Sequence, residues 1–162
     1  MWKTFFNALM ASVIKDAQAK QIAKHLARVW LYELCGKDAL YPDVQPLYNE
    51  LERVMKRKGR PISLVETGRT AKKQNDYFAK GRTKPGSIIT NAQGLESYHQ
   101  YGLAFDIRFE KYSWNPPSSK WWYDLGAEGE KLGLVWGGDF KDFSHFEYHP
   151  GFDYQQLKKY FK

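Results

Sequence analysis

A carboxylate inside an apolar strand constrains this chain more than any other feature. The stretch Leu103-Ala-Phe-Asp-Ile-Arg-Phe109 reads as extended. Alternate residues of a strand share a face, so Ala104 and Asp106 point together while Phe105 and Ile107 point the other way. An acid among such neighbours must be paired, hydrogen-bonded or bound to a metal. His99 precedes it across Gly102, whose missing Cβ permits the bend that would return His99 to the side of Asp106. A second cluster, Asp142-Phe-Ser-His-Phe-Glu-Tyr-His149, puts two further histidines into an aromatic-rich extended pattern, so that the two segments hold three of the four histidines.

A buried His–Asp hydrogen bond would explain His99 and Asp106 by themselves; His145 extends the set. Two neutral imidazoles and a carboxylate form a borderline-soft donor set suited to zinc, and the absence of thiolate ligands points to a catalytic site with an open position. Asp142, three residues before His145, is near enough to face the same cavity without binding the metal. This is the inventory of a zinc hydrolase. Alternation also puts His145, Glu147 and His149 on one face, so His149 is an alternative ligand to His145, and Glu147 an alternative base to Asp142. A serine or cysteine nucleophile is disfavoured: Cys35 is remote from every histidine but His25, and no Gly-x-Ser-x-Gly elbow occurs. A His-Glu-x-x-His helix is absent, because the glutamate of His145-Phe-Glu-Tyr-His149 is displaced by one position.

A chain of 162 residues suffices for one domain with a sizeable core. Residues 13 to 36 read as an amphipathic helix, with Ile22, Leu26, Val29 and Trp30 at helical spacing and Lys15, Lys20, Lys24 and Arg28 on other sides, stopping at Gly36. That helix either packs on the domain with its lysines solvated or touches the cell envelope. A second helix is expected from Val44, Leu47, Leu51 and Val54, ending near Gly59. A strand follows at Pro61 to Glu66, then a helix from Ala71 to Ala79 and a loop at Gly81 to Gly86. Further strands are expected at Ile88 to Thr90, Leu103 to Phe109, Leu134 to Trp136 and Ser144 to Tyr148, with a helix from Trp121 to Leu132. The order predicts an α+β domain with helices on a small, mainly antiparallel sheet, preceded by an N-terminal amphipathic helix. The expected division is a helical extension over 1–36 and a catalytic domain over 37–162.

The formal charge of +7 favours approach to a polyanion, and aromatic residues make up 17% of the chain, enough for a compact core or a stacking groove. The polyanion could be nucleic acid, anionic lipid or bacterial cell wall, and charge alone does not choose among them; basic residues are scattered apart from Lys56-Arg-Lys-Gly-Arg60 and no nucleic-acid signature accompanies them, which ranks nucleic acid below cell wall. A single cysteine rules out an internal disulfide. Thr4 to Ile14 loosely resembles a signal-peptide core but runs into the helical pattern, and no segment reaches membrane-spanning length.

Ser97, His99, Gly102, Ala104 and Asp106 occupy every fixed position of S-x-H-x-x-G-x-A-x-D. The segment thereby resembles the zinc peptidases that cut peptidoglycan peptides, which share a fold with D-Ala-D-Ala carboxypeptidases and the hedgehog signalling domain. Glu66-Thr-Gly-Arg-Thr70, Gln74, Tyr77, Gly81 to Gly86, Thr90-Asn-Ala92, Trp136-Gly-Gly-Asp139 and His145-Phe-Glu147 extend the likeness to the L-alanyl-D-glutamate endopeptidases of phage endolysins and sporulating bacteria. It covers about Leu40 to Tyr148. The resemblance implies zinc bound by His99, Asp106 and His145, Asp142 as general base, Arg69 as oxyanion stabiliser and Ser97 as an orienting group. Where many relatives have proline before the last histidine, this chain has Ser144.

The activity so implied is hydrolysis of stem peptides, most directly the L-alanyl-D-glutamate bond. The alternatives are a D-Ala-D-Ala or L,D-carboxypeptidase of the same fold and a zinc-stabilised binding module without turnover. An endolysin of this kind is expected to be a monomer, made in the host cytoplasm and reaching the wall or periplasm after the membrane is opened.

Overall fold

The computed structural model describes residues 2–31, 34–151 and 153–159, and within the first helix the side chains of residues 13 and 15–29. The elements run α1 (Trp2–Leu31), α2 (Val44–Arg57), β1 (Ile62–Glu66), α3 (Ala71–Ala79), β2 (Ala104–Phe109), α4 (Lys120–Lys131), β3 (Val135–Trp136), β4 (His145–Glu147) and α5 (Tyr154–Lys158). Among the described residues, 3-10 turns lie at Gly36–Ala39, Tyr98–Tyr101 and Gly137–Phe140. The strands form one antiparallel sheet in the order β1-β2-β4-β3, so the fold is α+β, as expected.

α1 starts earlier and stops sooner than the sequence pattern predicts. Neither Gly nor Pro occurs before Gly36, so nothing breaks the helix through the stretch resembling a signal core. Gly36, with φ +57, opens a 3-10 turn instead of ending α1 directly. Ala19, Ile22, Leu26 and Val29 recur at helical spacing and are buried in the same core as Leu40, Tyr41, Leu51, Tyr101 and Phe105. Lys15, Lys20, Lys24 and Arg28 are solvated, and the side chain of Trp30 lies outside the described residues. Among the described residues no helix is long and apolar enough to cross a membrane.

α2 buries Val44, Tyr48, Leu51 and Met55, whereas the expected Leu47 and Val54 flank that stripe. Tyr48 meets Phe105 edge to face, with ring centres 5.4 Å apart. On β2, Phe105, Ile107 and Phe109 enter the core while Asp106 faces the opposite side. β4 alternates in the same way: Phe146 stacks on its cross-strand partner Phe105, which leaves His145 and Glu147 on the face of Asp106. α4 sits close on this layer because Gly129 has no Cβ; one there would lie 2.3 Å from the Phe146 ring.

The expected strand at Ile88 to Thr90 is a loop, with Ile88 and Ile89 both exposed. At its end, side chains rather than a neighbouring strand supply the partners. Arg82 donates to the carbonyl of Thr90 and to Asn91, and Gln74 donates to Thr90 Oγ1 and the Ala92 carbonyl. The loop is thereby tied to α3 and forms one wall of the cleft described next.

Candidate metal centre

Three elements converge on one point. β2 and β4 pair Asp106 directly with His145, so the register of the ladder sets two of the three groups side by side. The third, His99, comes from the turn Tyr98–Tyr101. Ser97 and Gln100 close that turn as a capping box, and Gly102 ends it with φ +68. A Cβ on Gly102 would stand 2.7 Å from the Ala39 carbonyl oxygen, so this left-handed bend is reserved for glycine. Ser97 orients His99 by capping its turn.

His145 Nδ1 lies 2.9 Å from Asp106 Oδ1 and 3.2 Å from His99 Nε2, and His99 Nε2 lies 3.4 Å from Asp106 Oδ2. Both imidazoles are buried, and the carboxylate is mostly so. His99 Nδ1 is 2.8 Å from the Thr67 carbonyl; a carbonyl only accepts, so Nδ1 donates there and Nε2 is the nitrogen turned toward Asp106 and His145. His99, Asp106 and His145 thus offer N, N and O donors within 4.8 Å of one another, which fits a divalent ion such as zinc. Burial by itself would raise the pKa of Asp106, but hydrogen bonds with His145 and His99 outweigh it and hold the carboxyl well below the usual range. Burial would likewise lower His145, and its contacts with Asp106 and Glu147 instead raise it to about 9.

His149 stands outside this group. It is exposed, and its Nε2 bonds Glu147 Oε2 at 2.7 Å while Glu147 Oε1 meets His145 Nε2 at 3.0 Å. Both oxygens of Glu147 are therefore engaged. Asp142 is exposed and lines the cleft, with Ser144 Oγ donating to its Oδ1 at 2.9 Å. Arg69 is buried beside the centre. Its Nη1 donates to Gln74 and its Nη2 to Glu66, 3.9 Å from Asp106 Oδ2, and the guanidinium lies over the Tyr77 ring. A β-bulge between Leu64 and Glu66 brings Glu66 opposite Asp106.

The cleft holds about 810 Å³, enough for a short peptide, and His99, Asp106 and His145 form part of its lining. Sequence reasoning did not find Thr67, because the group that matters is its backbone carbonyl. Nor did it find Tyr98, Phe140, Lys141 and Tyr154, which reach the cleft through folding alone.

Residues 90–148 match the D-alanyl-D-alanine carboxypeptidase family. The chain is 36% identical over 124 residues to the peptidoglycan L-alanyl-D-glutamate endopeptidase CwlK of Bacillus subtilis strain 168, covering 68% of this chain and 74% of that protein. Among solved structures it resembles the vancomycin-resistance D,D-pentapeptidase VanY in complex with Zn(II), with TM-score 0.53 and 18% identity over 76% of this chain and 84% of that one. It also resembles the LdcB LD-carboxypeptidase, with TM-score 0.55 and 17% identity over 75% of this chain and 68% of that one. These two likenesses establish the fold. Fold, site and relatives together define a metallopeptidase. The chain belongs to the D-alanyl-D-alanine carboxypeptidase family.

Proposed function

We propose that the protein is a zinc-dependent peptidoglycan peptidase that cleaves the L-alanyl-D-glutamate bond of stem peptides. The observation that carries this reading is the meeting of His99 Nε2, His145 Nδ1 and the Asp106 carboxylate on one wall of a peptide-sized cleft that Asp142 also lines. CwlK, similar over most of its length, is named for that bond.

A zinc ion held by His99, Asp106 and His145 would supply a Lewis acid for the scissile carbonyl and acidify the attacking water. Asp142 takes the proton of that water on a carboxylate oxygen and returns it to the leaving amine. Glu147 is the weaker choice of base, since His145 and His149 already occupy both its oxygens. Arg69, fixed by Glu66 and Gln74, keeps positive charge beside the centre, where negative charge grows on the carbonyl oxygen. Thr90 to Ala92 also line the cleft, where a substrate strand would lie along them.

The net charge of +7 suits an enzyme working on an anionic wall. An endolysin role, with synthesis in a host cytoplasm and action at the wall after membrane opening, accords with the sequence resemblance; we further take the protein as a monomer, and the solvated lysines of α1 would suit contact with an anionic envelope.

Metal analysis joined to mass spectrometry of digested muropeptides, before and after chelation, tests the proposal. Zinc at one equivalent and chelator-sensitive release of fragments beginning with D-glutamate are expected. Loss of only a terminal D-alanine would show a carboxypeptidase instead. Bound zinc with no cleavage would show a binding module.

A further inference from the structure

Glu147 and His149 are not needed as base or ligand, yet they are tied to the centre by short contacts. Glu147, on β4, is mostly buried and bridges two imidazoles: Oε1 meets His145 Nε2 at 3.0 Å and Oε2 meets His149 Nε2 at 2.7 Å. His149, beyond the end of the strand, turns its ring onto Tyr98, with centres 4.5 Å apart and planes 23° from parallel. Tyr98 immediately precedes His99 and is backed edge-on by Tyr154 of α5. A closed path therefore runs from His145 through Glu147, His149 and Tyr98 to His99.

The geometry points to Glu147, His149 and Tyr98 as a brace that positions the two histidine ligands relative to each other. This inference rests on the zinc reading of the site. Two effects are combined in the brace. Glu147 accepts from His145 Nε2–H, which aims Nδ1 at Asp106 and His99 and fixes which nitrogen serves the metal. The His149–Tyr98 stack ties the chain just beyond β4 to the turn that carries His99. The three are positioning residues, acting on the metal through its ligands.

Zinc affinity of the full chain, measured by competition with a chromogenic chelator, tests this without reference to turnover. The absorption spectrum of the cobalt-loaded protein reports ligand geometry alongside it. Glu147→Ala should weaken zinc binding by roughly 10–100-fold and alter the cobalt spectrum. Glu147→Gln retains an acceptor for Nε2–H and a donor toward His149, and should recover most of the loss. His149→Ala and Tyr98→Leu should each weaken zinc binding less than Glu147→Ala does, and the double variant should lose little more than the stronger single one.

Far-ultraviolet circular dichroism establishes that each variant is folded, and the exposed His149 gives a variant that leaves the core intact. Parental zinc affinity in Glu147→Ala, or in both His149→Ala and Tyr98→Leu, would overturn the brace. So would Glu147→Gln that keeps zinc but loses all cleavage, since Glu147 would then be the base. A parent protein that takes up no zinc would overturn the functional reading, and the brace with it; a zinc-binding parent with unaffected variants would overturn the brace alone.

Discussion

Asp106 and His145 are cross-strand partners in the β2–β4 ladder, and Asp106 Oδ1 lies 2.9 Å from His145 Nδ1. Strand register thus sets the geometry of this pair. A slip of β4 by one residue would turn His145 from the cleft into the core and leave Asp106 without it.

Replacing Asp106 with Ala removes one donor and the acceptor that faces both imidazoles. Zinc content should fall to background, with cleavage lost in parallel. Elemental analysis after gel filtration checks it, and a full equivalent of retained zinc would mean that the ligand set lies elsewhere.

Asp142→Asn keeps the shape of an exposed side chain but takes away a proton acceptor. Zinc content and thermal midpoint should match the parent, while turnover drops by roughly 10²–10⁴. Undiminished turnover on purified peptidoglycan would move the base to another group.

In the metal-free protein His145 titrates near 9, so at neutral pH a proton occupies the nitrogen that a metal requires. Apparent zinc affinity should therefore rise about tenfold per pH unit toward about 9 and level off above it. Folding stability runs the other way. A folded pKa above the reference of 6.5 adds stability that is complete below 6.5 and lost as pH climbs through about 9. Asp106, held low, adds stability above the ordinary carboxylate range that is lost on acidification. Urea midpoints of chelated protein at about pH 6 and pH 9.5 should fall between the two; a rise would contradict the pairing.

Leu26 of α1 is fully buried beside residues of the main core. Leu26→Ala should destabilise the protein by about 2–5 kcal/mol, read from urea unfolding. A change below about 0.5 kcal/mol would show that α1 folds independently of the rest.

Gly102→Ala places a Cβ at φ +68 against the Ala39 carbonyl. It should lower stability by at least about 1 kcal/mol and weaken zinc binding, because the strain falls on the turn that carries His99. Parental values for both would show that the turn relaxes at little cost.

Much of the fold was legible because its signals are local. Alternation in Leu103 to Phe109 marked β2 and the outward face of Asp106, and the helical spacing of Ile22, Leu26 and Val29 marked the buried side of α1. Ile88 to Thr90 misled, since a β-branched run resembles a strand unless its backbone partners are known, and here the Thr90 carbonyl is taken by Arg82. α1 was readable as a helix that either packs on the domain or touches the envelope, and its burial in the common core decides for packing. A periodic stripe says that a face is covered without saying by what.

At the site, the sequence alone determined which residue types were available: two imidazoles and a carboxylate at motif spacing, a further acid nearby, and a glycine where the chain must turn left-handed. Tertiary structure decided how they are divided. His145 and not His149 meets His99 and Asp106, because β4 ends at Glu147 and the chain beyond it swings His149 onto Tyr98. Glu147 is occupied at both oxygens while Asp142 stays exposed to the cleft. Residues on one face of a strand are equivalent by alternation alone, and only the neighbours packed against that face distinguish them.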